Sequence, residues 1–197
     1  MHNINIISSA IISTGSYLPQ KVITNDDLAK TLNTSDEWIV TRTGIKARHI
    51  SSKTETTSFM AENAARQALK KNKRINVSDI DGIIVATTTP DLTFPSVAAK
   101  VQALLNIKNA FAFDIQGVCS GFLYALYIAD SLIKTKSVKN ILVIGSEKMS
   151  KILDWKDRST CVLFGDGAGA VILSAENKKK GIIDFHIETD GCLEKIL

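Results

Sequence analysis

Aromatic residues are scarce in this chain, 6% of 197 positions, and no basic stretch is interleaved with them, so stacking on unpaired nucleic-acid bases is not expected. Charge of one sign is also in short supply. The net charge is +4, Lys and Arg are spread along the chain, and the run Lys178-Lys179-Lys180 reads as a solvated turn. No segment approaches the continuous apolar length of a membrane span, and residues 1–10 lack a positive leader followed by a long apolar stretch; a cytoplasmic protein is expected. The three cysteines, Cys119, Cys161 and Cys192, are odd in number and widely spaced, which fits neither a disulfide framework nor a zinc site. At least one thiol is therefore free for chemistry. There is no repeat, low-complexity segment or linker, and 45% hydrophobic content over this length suffices for one sizeable core.

What is present alternates between apolar strands and amphipathic helices. Ile83 to Ala86, Ala110 to Ile115 and Ile141 to Ile144 are nearly continuous in Val, Ile, Ala or Phe, as parallel strands covered on both faces are. Helical patterns lie between them at Thr57 to Lys71, Phe94 to Leu105 and Ser120 to Ile133. The first has a face rich in small residues, suited to close packing. The last is apolar enough for a central, buried helix. An α/β fold follows, with a mostly parallel sheet, right-handed crossovers and helices on both faces. Cys161 to Leu173 and Ile182 to Glu188, joined without room for a helix, read as an antiparallel hairpin at the sheet edge.

Cys119 follows a strand ending at Ile115, the turn Gln116-Gly117-Val118, and then opens an apolar helix. Unpaired amide donors and the helix dipole at such a position stabilise a thiolate. Gly117 and Gly121 flank it without side chains, leaving space for a bulky thioester. A cysteine in apolar surroundings is equally a small core residue, and the residues alone leave both readings open. Cys161, read as lying within a strand, and Cys192, in a turn, are read as structural. Trp38 and Arg42 stand four apart on a short helix opened by Thr34 or Ser35, with Glu37 placed as in a capping box. An indole and a guanidinium on one face suit an adenine nucleotide, and they equally suit a helix anchor and a solvated arginine. Gly165-x-Gly167-x-Gly169 is not a phosphate loop, because it leads into a strand where those loops need a helix. Tight backbone packing beside the active-site helix is expected of it instead.

Three segments, Thr34 to Ile45, Phe113 to Phe122 and Phe164 to Ala170, resemble in order those of the β-ketoacyl-acyl-carrier-protein (ACP) synthase III family, over nearly the whole chain. The resemblance implies a thiolase-like fold, of which residues 1–175 would form the amino-terminal half and 176–197 the start of a second. It implies Cys119 as acyl-accepting nucleophile, loaded from acetyl-coenzyme A or another short acyl-coenzyme A, and malonyl-ACP as the condensing partner. Coenzyme A contacts would fall on Thr34, Trp38, Arg42 and Arg158, with Arg158 covering the other face of the adenine. Phe94 would line a partner's acyl pocket across a homodimer, unless it is an ordinary core aromatic. No tightly bound cofactor and no metal are implied; coenzyme A enters as part of the substrate. The family's catalytic histidine and asparagine lie downstream, and His2, His49 and His186, the last read as lying in a strand, are not in their context. The segment from Cys192 onward also departs from the family pattern. The chain is therefore expected to be a truncated amino-terminal part that cannot condense alone and exposes an apolar surface. The alternatives are another acyltransferase of the thiolase superfamily, or a non-catalytic remnant serving binding or dimerisation.

Overall fold

The computed structural model of the chain describes residues 7–176 and 181–192. The Lys178 to Lys180 run, His2 and residues 193–197 lie outside the described residues. The elements in order are β1 (Ser8–Tyr17), β2 (Lys21–Thr24), α1 (Asn25–Ala29), α2 (Asp36–Thr43), β3 (Ala47–Ile50), α3 (Thr57–Lys71), β4 (Gly82–Ala86), α4 (Val97–Leu104), β5 (Phe111–Ile115), α5 (Gly121–Lys134), β6 (Asn140–Lys148), α6 (Arg158–Cys161) and β7 (Asp166–Glu176). A five-stranded sheet runs in the order β1-β7-β6-β4-β5, and β2 pairs with β3 in a separate two-stranded sheet.

The sheet is mixed. β4 is parallel to β5 and β6, where helical crossovers intervene, whereas β7 is antiparallel to both β1 and β6. Because side chains alternate along a strand, Ile83, Val85, Leu142, Ile144 and Ile172 meet α3 and α4 on one face, while Ile84, Ile141, Val143, Val171 and Leu173 meet α5 on the other. Helices on both faces are thus as expected. The small-residue face of α3 does pack closely: Ala61, Ala64, Ala65 and Ala68 are fully buried, and Ser13 of β1 donates to the Ala68 carbonyl at 2.6 Å. A Cβ on Gly15 would stand 2.1 Å from the Ala64 carbonyl oxygen, so only glycine fits there.

Three expectations need correction. The hairpin of Cys161–Leu173 with 182–188 does not form. The strand starts at Asp166, both of its edges are taken by β1 and β6, and 182–190 carries no strand, although Ile182 N–H donates to the Ser9 carbonyl at 2.9 Å. Cys161 and His186 are therefore not strand residues. α5 is not buried all round: Ala125, Ala129 and Ile133 are sealed against the sheet, but Leu123 is 55% and Tyr127 48% exposed. Segment 182–190 covers part of that outer face, with Phe185 edge-on to Tyr127 at 5.4 Å and a hydrogen bond between the Tyr124 and Thr189 hydroxyls at 2.9 Å. Finally, α4 begins at Val97, behind its cap Ser96, which accepts from Ala99 N–H at 3.1 Å.

Candidate active site

Cys119 sits in a single 3₁₀ turn, Val118–Ser120, that runs directly into α5. The chain reaches it through a fixed path. Ile115, the last residue of β5, accepts from Thr87 N–H at 3.1 Å. The Gly117 position is pressed on the first turn of α5, where a Cβ would stand 2.7 Å from the Tyr124 ring and 2.9 Å from the Gly121 Cα. Val118 then takes φ +45°, a left-handed conformation that costs a β-branched residue about 1–2 kcal/mol. The thiol emerges exposed at the amino-terminal end of a helix. The strand, turn and helix follow in the order read from the sequence, and Cys119 is not part of the core of the described residues.

The space beside the sulfur has a different origin from the one expected. Gly117 serves helix packing, and Gly121 faces the Ala86 methyl at ordinary contact distance. The cleft at Cys119, about 350 Å³, is walled instead by Val118, Phe122, Gly145, Glu147 and residues 167–169. A Cβ on Gly169 would meet nothing within 4 Å, so this glycine borders open space and is not tightly packed; Gly165 and Gly167 are the packed ones, where a Cβ would stand 3.0 Å from the His49 carbonyl and 3.1 Å from the Leu18 side chain, neither of them on α5. The glycine ridge is anchored by Asp166, a buried carboxylate that accepts from the N–H and hydroxyl of Ser51, at 2.8 and 2.7 Å, and of Ser150, at 2.8 and 2.6 Å. Glu147 fixes a neighbouring turn by accepting from the Thr88 N–H at 2.7 Å and the Thr89 N–H at 3.1 Å. Sequence reasoning missed both carboxylates. Their signal is an acid at the end of an apolar strand, which has to be paid in hydrogen bonds.

Trp38, Arg42 and Arg158 come together on the surface. Ser35, not Thr34, caps α2 and accepts from Trp38 N–H at 3.1 Å. The Arg42 guanidinium lies 4.4 Å and that of Arg158 4.7 Å from the indole centroid, and Arg158 also donates to the Asn33 carbonyl at 2.6 Å. Arg158 is in direct contact with Trp38, so in this arrangement no adenine fits between them and the expected sandwich is closed. Thr34 Oγ1 is buried and has no hydrogen-bond partner among the described residues. Beneath the cluster, buried Arg48 braces both carriers. It donates to the Val162 carbonyl after α6 at 3.0 Å and to Asn25 Oδ1 at 2.8 Å, and Asn25 donates on to Asp36 of α2 at 2.8 Å. Burial pulls the Arg48 pKa down, against the neighbouring Cys161, and burial followed by the charge of Asp157 pushes the Cys161 thiol up. Cys161 sits buried in a satellite core with Leu28, Ile39 and Val162, where burial disfavours its thiolate.

The remaining candidates are scattered. Phe94 is 80% exposed in the loop before α4, so it is not a core aromatic of this chain. Cys192 is exposed, and its N–H donates to Asp190 at 2.9 Å. His49 contacts the Pro19 carbonyl at 2.6 Å, and His186 stands 3.2 Å from Glu188 on the surface. Among the described residues no cluster of three or more His, Cys, Asp or Glu is placed to hold a metal ion, and no helix is long and apolar enough to cross a membrane.

Residues 113–191 match the family described as 3-oxoacyl-[acyl-carrier-protein (ACP)] synthase III. The chain is 60% identical over 190 residues to a β-ketoacyl-ACP synthase III of Ehrlichia canis, an alignment covering 96% of this chain and 59% of that protein. A crystal structure of 3-oxoacyl-ACP synthase III from Aquifex aeolicus superimposes with a TM-score of 0.84 at 56% identity, covering 87% of this chain and 55% of the other. That of the Thermus thermophilus synthase III superimposes with a TM-score of 0.89 at 42% identity, covering 94% and 57%. The fold is therefore thiolase-like, and the chain spans about three fifths of the length of the curated relatives it matches.

Proposed function

Because this chain belongs to the β-ketoacyl-ACP synthase III family while spanning about three fifths of its relatives' length, we propose that it carries the acyl-loading half of that family's chemistry, with Cys119 as the nucleophile. The single observation behind this reading is the exposed thiol at the head of α5, facing a cleft bordered by the open Gly169. The Cys119 sulfur attacks the carbonyl carbon of a short acyl-coenzyme A; a carbon–sulfur bond forms, the bond to coenzyme A breaks, and coenzyme A leaves as its thiol. One thioester replaces another, so little free energy is spent. Backbone amides at the start of α5, that of Cys119 included, stabilise the oxyanion formed on the way.

In the whole protein malonyl-ACP then loses carbon dioxide, and the carbanion left on its acyl group attacks the acyl-Cys119 carbonyl, returning the thiolate and yielding a β-ketoacyl product. Trp38, Arg42 and Arg158 receive the adenine nucleotide of coenzyme A, which displaces Arg158 from the indole, with Thr34 beside them. Phe94, projecting from its loop, lines the acyl pocket of a second subunit in a homodimer.

Incubating the chain with acetyl-coenzyme A and mapping the product by mass spectrometry tests the reading. An acetyl group on Cys119, absent from Cys119→Ser, is the expected result. A Cys119 that iodoacetamide alkylates, but that acetyl-coenzyme A neither acylates nor protects, would remove the proposal.

A further inference from the structure

Glu147 borders the Cys119 cleft from the end of β6. A second cleft of about 420 Å³ is walled by Thr87, Thr88, Ser96, Phe113, Ile115 and Gln116. The end of β4 adjoins both spaces, Ala86 lining the first and Thr87 and Thr88 the second, and Glu147 holds the turn that follows β4 by both carboxylate oxygens. Oε1 accepts from Thr88 N–H at 2.7 Å; Oε2 accepts from Thr89 N–H at 3.1 Å and from the Thr89 hydroxyl at 2.5 Å. The same hydroxyl accepts from Lys148 N–H at 2.7 Å, and the Thr89 carbonyl accepts from the Thr57 hydroxyl at 2.5 Å. Through the Thr87 N–H bond to Ile115, the turn is also tied to the segment that delivers Cys119.

A carboxylate engaged by so many donors is committed to holding those donors and is not a free base. We propose that Glu147 is a positioning residue that fixes the Thr87–Thr89 turn beside the two clefts and thereby limits the acyl group accepted by Cys119 to a short one. This rests on the acyl-loading reading above. An amide in place of the carboxylate has only one acceptor oxygen, so at least one of the Thr88 and Thr89 N–H groups loses its partner and the turn loosens. A thioester with a longer acyl chain then gains room across the turn.

The test compares rates of Cys119 acylation by acetyl- and hexanoyl-coenzyme A, followed by intact mass, in the chain and in Glu147→Gln and Glu147→Asp, with iodoacetamide alkylation and circular dichroism on each. Glu147→Gln should slow acetyl loading by about tenfold, the equivalent of one lost charge-assisted hydrogen bond, and lower the acetyl-over-hexanoyl ratio. Glu147→Asp, which keeps the charge on a shorter arm, should fall between, and alkylation should be unaltered in both. If the parent chain loads acetyl and either folded variant keeps the parental ratio, this proposal alone is overturned. If the parent loads neither thioester while iodoacetamide still labels Cys119, the acyl-loading reading fails and takes this one with it.

Discussion

Around Cys119 the walls are tied into the backbone of the sheet: a strained Val118, the glycine ridge of β6 and β7, and turns pinned by Glu147 and Asp166. Around Trp38 the surface is made of long side chains stacked on one another, carried by short helices over a satellite core. The first region sits on a five-stranded sheet with its key carboxylates fully hydrogen-bonded, and it can shift only by breaking several bonds together. The second can rearrange by turning a guanidinium. A covalent step needs its reacting atoms held within a fraction of an ångström, whereas recognition of a flat base tolerates adjustment. On the proposed function, the contrast is one between a part that has to be preorganised and a part that can adapt.

The sharpest way to break that comparison is Asp166→Ala. It strips acceptors from two backbone N–H groups and two hydroxyls at the root of the glycine ridge, and should cost about 3 kcal/mol or more in urea unfolding. A change under about 1 kcal/mol would mean that the ridge does not depend on its anchor. Next in size is Arg48→Met, which leaves the Val162 carbonyl and Asn25 Oδ1 without their donor and should cost about 2 kcal/mol. Its functional effect should fall on the other region: protection of Cys119 by acetyl-coenzyme A weakens, while the alkylation rate of the thiol is kept. A fall in alkylation of the folded variant would show that the two regions are mechanically one.

The same contrast governs what was legible in the sequence. β4, β5, β6 and α3 are visible because continuous apolar runs and a helical stripe are local signals. Cys119 is visible because strand, turn and helix follow one another along the chain. β1 was not, since Ser8 to Tyr17 is rich in Ser, Thr and Gly, with a register shift between Ile11 and Ser13, and its partner β7 lies more than a hundred residues away. That hidden pairing is also why β7 was joined to the wrong neighbour. The apolar stretch beginning at Cys161 looked continuous with the strand, but Cys161 and Val162 turn into the satellite core, and the strand begins only where Asp166 is anchored. Glu147, Asp166 and Arg48 were missed because their partners are distant in sequence; a charge within or at the end of an apolar strand is the only local trace they leave.

A gain in stability is expected from Val118→Asn. Asparagine tolerates the left-handed backbone that valine resists, so relief of the strain should raise stability by about 1 kcal/mol. The cost should appear in function, because the isopropyl group that walls the Cys119 cleft is exchanged for an amide and acetyl loading slows. If the variant is neither more stable nor slower, the φ of +45° is not a constraint that the surroundings of Cys119 impose.

The smallest effect on the fold should come from Arg42→Ala, and it separates the two regions most cleanly. Arg42 is exposed, lies over the indole and donates only a long bond, 3.4 Å, to the Trp38 carbonyl. Its removal should change stability by no more than about 0.5 kcal/mol. A cation–π contact at an exposed site is worth about 0.5–1 kcal/mol, so loading of Cys119 from acetyl-coenzyme A should slow about two- to fivefold. Acetyl-pantetheine presents the same thioester without the adenine nucleotide, and its rate should not change, because nothing at Cys119 has been touched. Equal slowing with both donors would show that the arginine acts through the fold. No slowing with either would remove the Trp38 cluster from coenzyme recognition and leave it as the outer face of a stabilised helix.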